Sequence, residues 1–65
     1  MQKLITRYKQ KAAGYRSVAK RHIDKGNNEL GVLTYQKAAL CDEIVEDLQA
    51  LQAEMEKEND ENQTT

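Results

Sequence analysis

The densest group of side chains that could do chemistry is the acidic run over residues 42–47, which carries four carboxylates. Carboxylates three or four residues apart share one face of a helix, where they repel slightly and can bind a cation. Magnesium needs several oxygen ligands, and no second acidic pair precedes this run in the sequence. We therefore expect no metal site here, and the alternative is an acidic docking strip.

The sequence has one histidine and one cysteine that could act as a ligand or nucleophile. In a helical hairpin, His22 and Cys41 would lie more than two turns apart, too far to share a metal or to form a catalytic pair. Packing roles are the expectation for both side chains. We predict no catalytic residues, no cofactor and no enzymatic activity.

Charge is segregated along the chain. Residues 1–25 carry eight Lys or Arg against one Asp, and residues 26–65 carry ten Asp or Glu against two Lys. The net charge of −1 hides this division. Such asymmetry indicates either pairing between the two halves or a charged ligand.

The elements that position these residues are predicted to be two helices. The strongest turn signal is the segment 26–28, Gly-Asn-Asn, and apolar residues recur at spacings of three and four on both sides of it. We expect an all-α antiparallel hairpin over residues 1–58, with helices at about 2–25 and 29–58. The acidic and polar residues 59–65 have nothing to bury and are predicted to form a disordered tail.

A coiled-coil-like apolar stripe predicts which residues pack together. Two helices in a chain of 65 residues leave one side of the core open, so we predict that two hairpins form a homodimeric four-helix bundle. The predicted hairpin or dimer seam comprises Ile5, Tyr8, Ala12, Tyr15, Ala19, Leu33, Leu40, Ile44, Leu48 and Leu51.

Three residues interrupt this pattern. A close backbone approach would explain Gly14, and Gly31 would suit a late or irregular start of the second helix. Lys37 falls inside the apolar stripe near the level of Tyr15. Its stem can stack on that ring, or its charge can set the register or the oligomeric state.

Composition excludes several classes of protein. No run of roughly 20 apolar residues could span a membrane, and a single cysteine excludes a disulfide framework. The polar, basic start is unlike a signal peptide. We expect a cytoplasmic protein that has no membrane partner.

The favoured functional hypothesis is a small regulatory protein that binds a host or other target protein and inhibits it through helix faces. In size and style the chain resembles the small accessory proteins by which phages and mobile elements inhibit or retarget host factors. The candidate partner-binding residues lie along the back of the second helix: Tyr35, Ala39, Asp42 and Glu46. A solvated face with one exposed tyrosine is the simpler interpretation.

Binding of nucleic acid is the alternative. Basic residues border the stripe of the first helix, where they could bind phosphate or match charges on a neighbouring helix: Arg7, Lys11, Arg21 and Lys25. In outline the chain is similar to plasmid copy-number proteins, helical-hairpin dimers that bind paired RNA loops. A third hypothesis is a structural module that completes a larger helical assembly.

Overall fold

Two helices joined by a short turn make up the fold. The computed structural model describes the backbone of residues 1–64 and the side chains of residues 1–57. Helix α1 spans Gln2–Asp24 and helix α2 spans Asn28–Thr64, and the two pack against each other. The described fold is a rod with extents of 60 × 16 × 10 Å. The predicted all-helical hairpin is confirmed.

The turn is built on one glycine in a left-handed conformation. Gly26 has φ +87°, which L side chains adopt only at a cost in free energy. Its N–H donates to the Ile23 carbonyl (2.9 Å), and the N–H of Asn27 donates to the His22 carbonyl (2.8 Å). This pair of hydrogen bonds is the Schellman motif, which satisfies the last carbonyls of α1. The Asn27 carbonyl then accepts from Gly31 (3.0 Å) and begins α2.

Helix α2 extends well past the first residue of α1. Residues at the same level of the hairpin have numbers that add to roughly 54, as Gly31 and Ile23 do. The prediction ended the second helix near residue 58, whereas α2 runs to Thr64. The disordered tail over 59–65 stays a prediction: the backbone of 59–64 continues α2, and the side chains of these residues lie outside the described ones. No described helix is both long and apolar enough to cross a membrane.

The seam of the hairpin consists mainly of small residues. On α1 the buried residues are Ile5, Ala12 and Ala19. On α2 they are spaced alternately three and four residues apart: Gly31, Thr34, Ala38, Cys41 and Val45. The buried Thr34 hydroxyl donates to the Leu30 carbonyl (2.8 Å) and so leaves no unpaired polar group. Small side chains on both helices allow their backbones to approach closely.

The predicted seam needs correction on α2. Ile5, Ala12 and Ala19 are buried as predicted, and three more are half-buried: Tyr8, Tyr15 and Leu48. The remaining four are exposed: Leu33, Leu40, Ile44 and Leu51. The hairpin uses the adjacent stripe because its small residues permit a closer helix contact than leucines do. As dimer contacts, the four exposed residues stay a prediction.

The close approach between backbones that was expected at Gly14 is found at Gly31 instead. A Cβ at Gly14 would meet no atom within 4 Å, so no close approach explains this residue. A Cβ at Gly31 would lie 2.5 Å from Ile23 Cγ1. Gly31 lies inside a helix that begins at Asn28, and α1 and α2 come close together at this residue.

Candidate interaction faces

An apolar stripe on α2 faces away from the hairpin seam. Leu33, Leu40, Ile44 and Leu51 are 55%, 59%, 37% and 46% exposed. Their spacings of seven and four residues place them on one side of the helix, about a third of a turn from the buried stripe. The stripe is about 27 Å long at 1.5 Å per residue. One charged residue, Lys37, interrupts it between Leu33 and Leu40.

Helix α1 borders this stripe with two half-buried tyrosines, Tyr8 and Tyr15. The Nζ atom of Lys37 lies 6.0 Å from the centroid of the Tyr15 ring, as in the first of the two roles considered for this lysine. Because Lys37 is within the α2 stripe, this contact shows that Tyr15 and the stripe are on the same side of the hairpin. We call the six residues the open face: Tyr8, Tyr15, Leu33, Leu40, Ile44 and Leu51.

The opposite side of the hairpin carries an ion pair between Arg16 Nη2 and Asp42 Oδ2. Both side chains are about half exposed, so the pair contributes little free energy. Within residues 1–57 it is the one ion pair between the helices. Most charged side chains of the two helices, among residues 1–57, therefore make no ion pair across the hairpin.

The candidate partner-binding residues lie on the back of α2, away from the open face. Tyr35, Ala39 and Glu46 are exposed. Asp42 is half-buried, and its carboxylate accepts a hydrogen bond from Arg16. The structure thus leaves three of the four residues free for a partner and gives Asp42 a role within the hairpin.

The candidate phosphate-binding residues Arg7, Lys11, Arg21 and Lys25 are all exposed. No carboxylate among the described side chains lies within 4.0 Å of them. Lys11 Nζ is 5.2 Å from the centroid of the Tyr8 ring. At 100° per residue, three of the four border the open face on the outer edge of α1. We call these three the basic rim: Arg7, Lys11 and Lys25.

Carboxylates border the open face on the outer edge of α2. Three exposed residues at this edge form what we call the acidic rim: Glu29, Glu43 and Asp47. The two rims are separated by the whole width of the hairpin, roughly 20 Å for two helix diameters. Within one chain they cannot meet, so each rim is available to an external partner.

The residues that could do metal or nucleophile chemistry are spread along the hairpin. Cys41 is a buried free thiol in the seam and His22 is half-buried on α1. No three His, Cys, Asp or Glu side chains in the part of the chain that the structure describes could together hold a metal ion. The depression at the turn is open and shallow, lined by Asn28, Glu29 and Leu33 among others. The expectation of no catalysis stays a prediction.

Sequence reasoning missed Gly31 and Thr34 as seam residues because it ranked positions by apolar size. A signal was present: small residues recur at helical spacing from Gly31 to Val45. No protein-family model, no curated protein and no solved structure matches this chain. Its functional interpretation therefore depends on these faces alone.

Proposed function

We propose that this chain is a small non-catalytic interaction protein, which acts by stoichiometric binding through helix faces. The observation that carries the proposal is the open face. Single exposed apolar side chains are common on proteins, but a contiguous apolar stripe rimmed by charge is typical of an interaction site. Leu33, Leu40, Ile44 and Leu51 form a stripe on one side of α2 that is rimmed by charge and interrupted only by Lys37.

The first association that we propose is a homodimer, in which two open faces close a four-helix bundle. The chain exposes 5235 Å². A compact monomer of 7.4 kDa would expose about 4200 Å². The excess reflects an elongated chain, in which α2 extends past the first residue of α1.

The second association is with a target protein whose activity the dimer modulates, with inhibition as the favoured outcome. In a dimer closed through the open face, Tyr35, Ala39 and Glu46 stay on the outside. Tyrosine supplies a large contact area with a polar end, which suits a binding surface. A cytoplasmic location is part of the proposal, and the free thiol of Cys41 suits a reducing compartment.

Two adjacent residues give a matched test of the open face. Leu40→Asp introduces a charge on the open face, and Ala39→Asp introduces the same charge on the back of α2. We expect Leu40→Asp to halve the mass measured by light scattering and Ala39→Asp to leave it unchanged. Equal masses for the two variants would contradict the proposal for this face.

Capture from the native host lysate tests the regulatory part. With the wild-type chain as bait, we expect one stoichiometric protein that survives nuclease treatment. The Tyr35→Ala variant should no longer capture this protein, while the helicity and mass of the variant itself stay unchanged. Self-association with no captured protein would favour the structural-module hypothesis instead.

Binding of nucleic acid is a second candidate, supported by four exposed basic side chains without a carboxylate within 4.0 Å in residues 1–57. Phosphate binding by these residues would weaken steeply as salt increases. Reversal of Arg21 to Glu, together with Arg7→Glu, should then abolish binding of a duplex RNA or DNA probe. Unchanged binding would exclude this surface.

A further inference from the structure

We infer that the partner on the open face is a second copy of this chain, held with its turn at the same end of the bundle, so that each basic rim pairs with the partner's acidic rim. The inference rests on the proposed function and adds the arrangement that the proposed dimer takes. Charge complementarity between the two edges of one open face is the observation behind it.

A face-to-face dimer of hairpins has two simple symmetric arrangements. With the two-fold axis parallel to the helices, α1 lies on α2 of the partner, and both turns are at one end. With the axis perpendicular to the helices, α1 lies on α1 of the partner, α2 lies on α2, and the turns are at opposite ends. The rims meet only in the first arrangement.

The levels of the rim residues agree with the first arrangement. A parallel two-fold axis leaves every residue at its own height, so a residue meets those at its own level of the partner. The pairs 7 with 47, 11 with 43 and 25 with 29 each add to the same number as Gly31 and Ile23. Each cation of the basic rim therefore meets a carboxylate.

Symmetry doubles these three contacts. Arg7 pairs with the partner's Asp47, Lys11 with the partner's Glu43, and Lys25 with the partner's Glu29, and each pair occurs twice in the dimer. Charges at the edges of helical interfaces set partner choice and orientation in this way. Lys11 can keep its contact with Tyr8 while its ammonium reaches the partner.

The second arrangement places like charges beside each other. Residues 1–25 of both copies, each with eight basic side chains against one acidic, would lie in contact along their length. Repulsion between like charges at close range disfavours such an interface and suppresses wrong partners. The segregated charge thus selects between two arrangements that bury the same apolar stripe.

Spin-label distances distinguish the two arrangements. In a Cys41→Ala background, a label at Asn28→Cys reports the distance between the turns, and a label at Ser17→Cys reports the middle of the hairpin as a control. Our arrangement predicts about 20 Å for both labels. Opposed turns predict about 35 Å or more for position 28, which would overturn the inference.

Charge reversal tests the rims themselves. Because each substitution removes two pairs, we expect Lys11→Glu or Glu43→Lys alone to weaken dimerisation about tenfold at low salt. The double variant should recover the wild-type dissociation constant. Lys20→Glu, on the opposite side of α1, should leave it unchanged. A double variant as weak as the single ones would contradict the rim pairing.

Two further outcomes separate this inference from the proposed function. A wild-type chain that stays monomeric at all concentrations would overturn the inference, while target capture sensitive to Leu40→Asp would still support an interaction protein. If Lys11→Glu leaves the dimer intact and abolishes binding of a nucleic-acid probe, the basic rim binds phosphate and the inference is wrong.

Discussion

Gly31 of α2 lies directly against the backbone of Ala19 in α1. A Cβ at position 31 would lie 3.2 Å from the Ala19 carbonyl oxygen and 2.5 Å from a side-chain carbon of Ile23. The oxygen belongs to a helix backbone and cannot move without shifting the whole element. The separation of the helices is therefore limited by a residue without a side chain.

Substitution of this glycine should destabilise the fold. We expect Gly31→Ala to lower the free energy of unfolding by about 1–2 kcal/mol, because the overpacking outweighs the better helix propensity of alanine. Gly14→Ala is the matched control, and with open space around it we expect a gain of about 0.5–1 kcal/mol. Urea unfolding followed by circular dichroism measures both, and equal effects would contradict the close contact.

Substitution in the turn should have a purely conformational effect. Gly26 has φ +87° and no atom within 4 Å of a Cβ. We expect Gly26→Ala to destabilise the hairpin by about 1 kcal/mol, and Gly26→Asn to destabilise it less, because asparagine tolerates the left-handed region better. Thermal unfolding of the two variants gives the comparison. Identical melting temperatures would argue against a left-handed residue at this position.

The ion pair between Arg16 and Asp42 should contribute little. Both partners are about half exposed. A double-mutant cycle with Arg16→Gln and Asp42→Asn should give a coupling free energy of about 0.5 kcal/mol that decreases in 1 M salt. A coupling of several kcal/mol that does not change with salt would show instead that the pair is buried in the assembly.

Removal of the lysine within the open face should strengthen association. We expect Lys37→Leu to tighten self-association roughly tenfold, because it adds apolar area where a charged group now lies. Its contact with Tyr15 would be lost at the same time. Sedimentation velocity should show a broader distribution of masses, since a polar residue in a seam limits the oligomeric state. Weaker association would mean that the stacked lysine stabilises the interface.

The sequence predicted the hairpin well because its signals are local. The Gly-Asn-Asn turn and the three-and-four spacing depend on a few neighbouring residues, and the observed helices begin within one residue of those predicted. The contact stripe on α2 is different, because two adjacent stripes have the same spacing. The helices pack through the stripe that contains Gly31 and Ala38, because small side chains let the backbones approach more closely than Leu33 and Leu40 would.

The candidate surfaces could be predicted only in part. The bordering of the apolar stripe by charge follows from helical geometry, so the exposure of Arg7 and Lys11 was accessible from the sequence. The sequence could not show that Arg7 and Lys11 do not pair with Glu43 or Asp47 in the same chain. That depends on which side of each helix faces the seam, and hence on the hairpin as a whole.

The seam made of small residues has a consequence for how the protein would behave in a cell. Ile5 is the one large side chain that is fully buried in the described part, so a lone hairpin gains little from burial. If the proposed dimer forms, folding depends on association, and mass action makes the folded fraction increase with abundance. Below a threshold of expression we expect the chain to unfold and be degraded. Its activity would then begin only above a certain concentration in the cell.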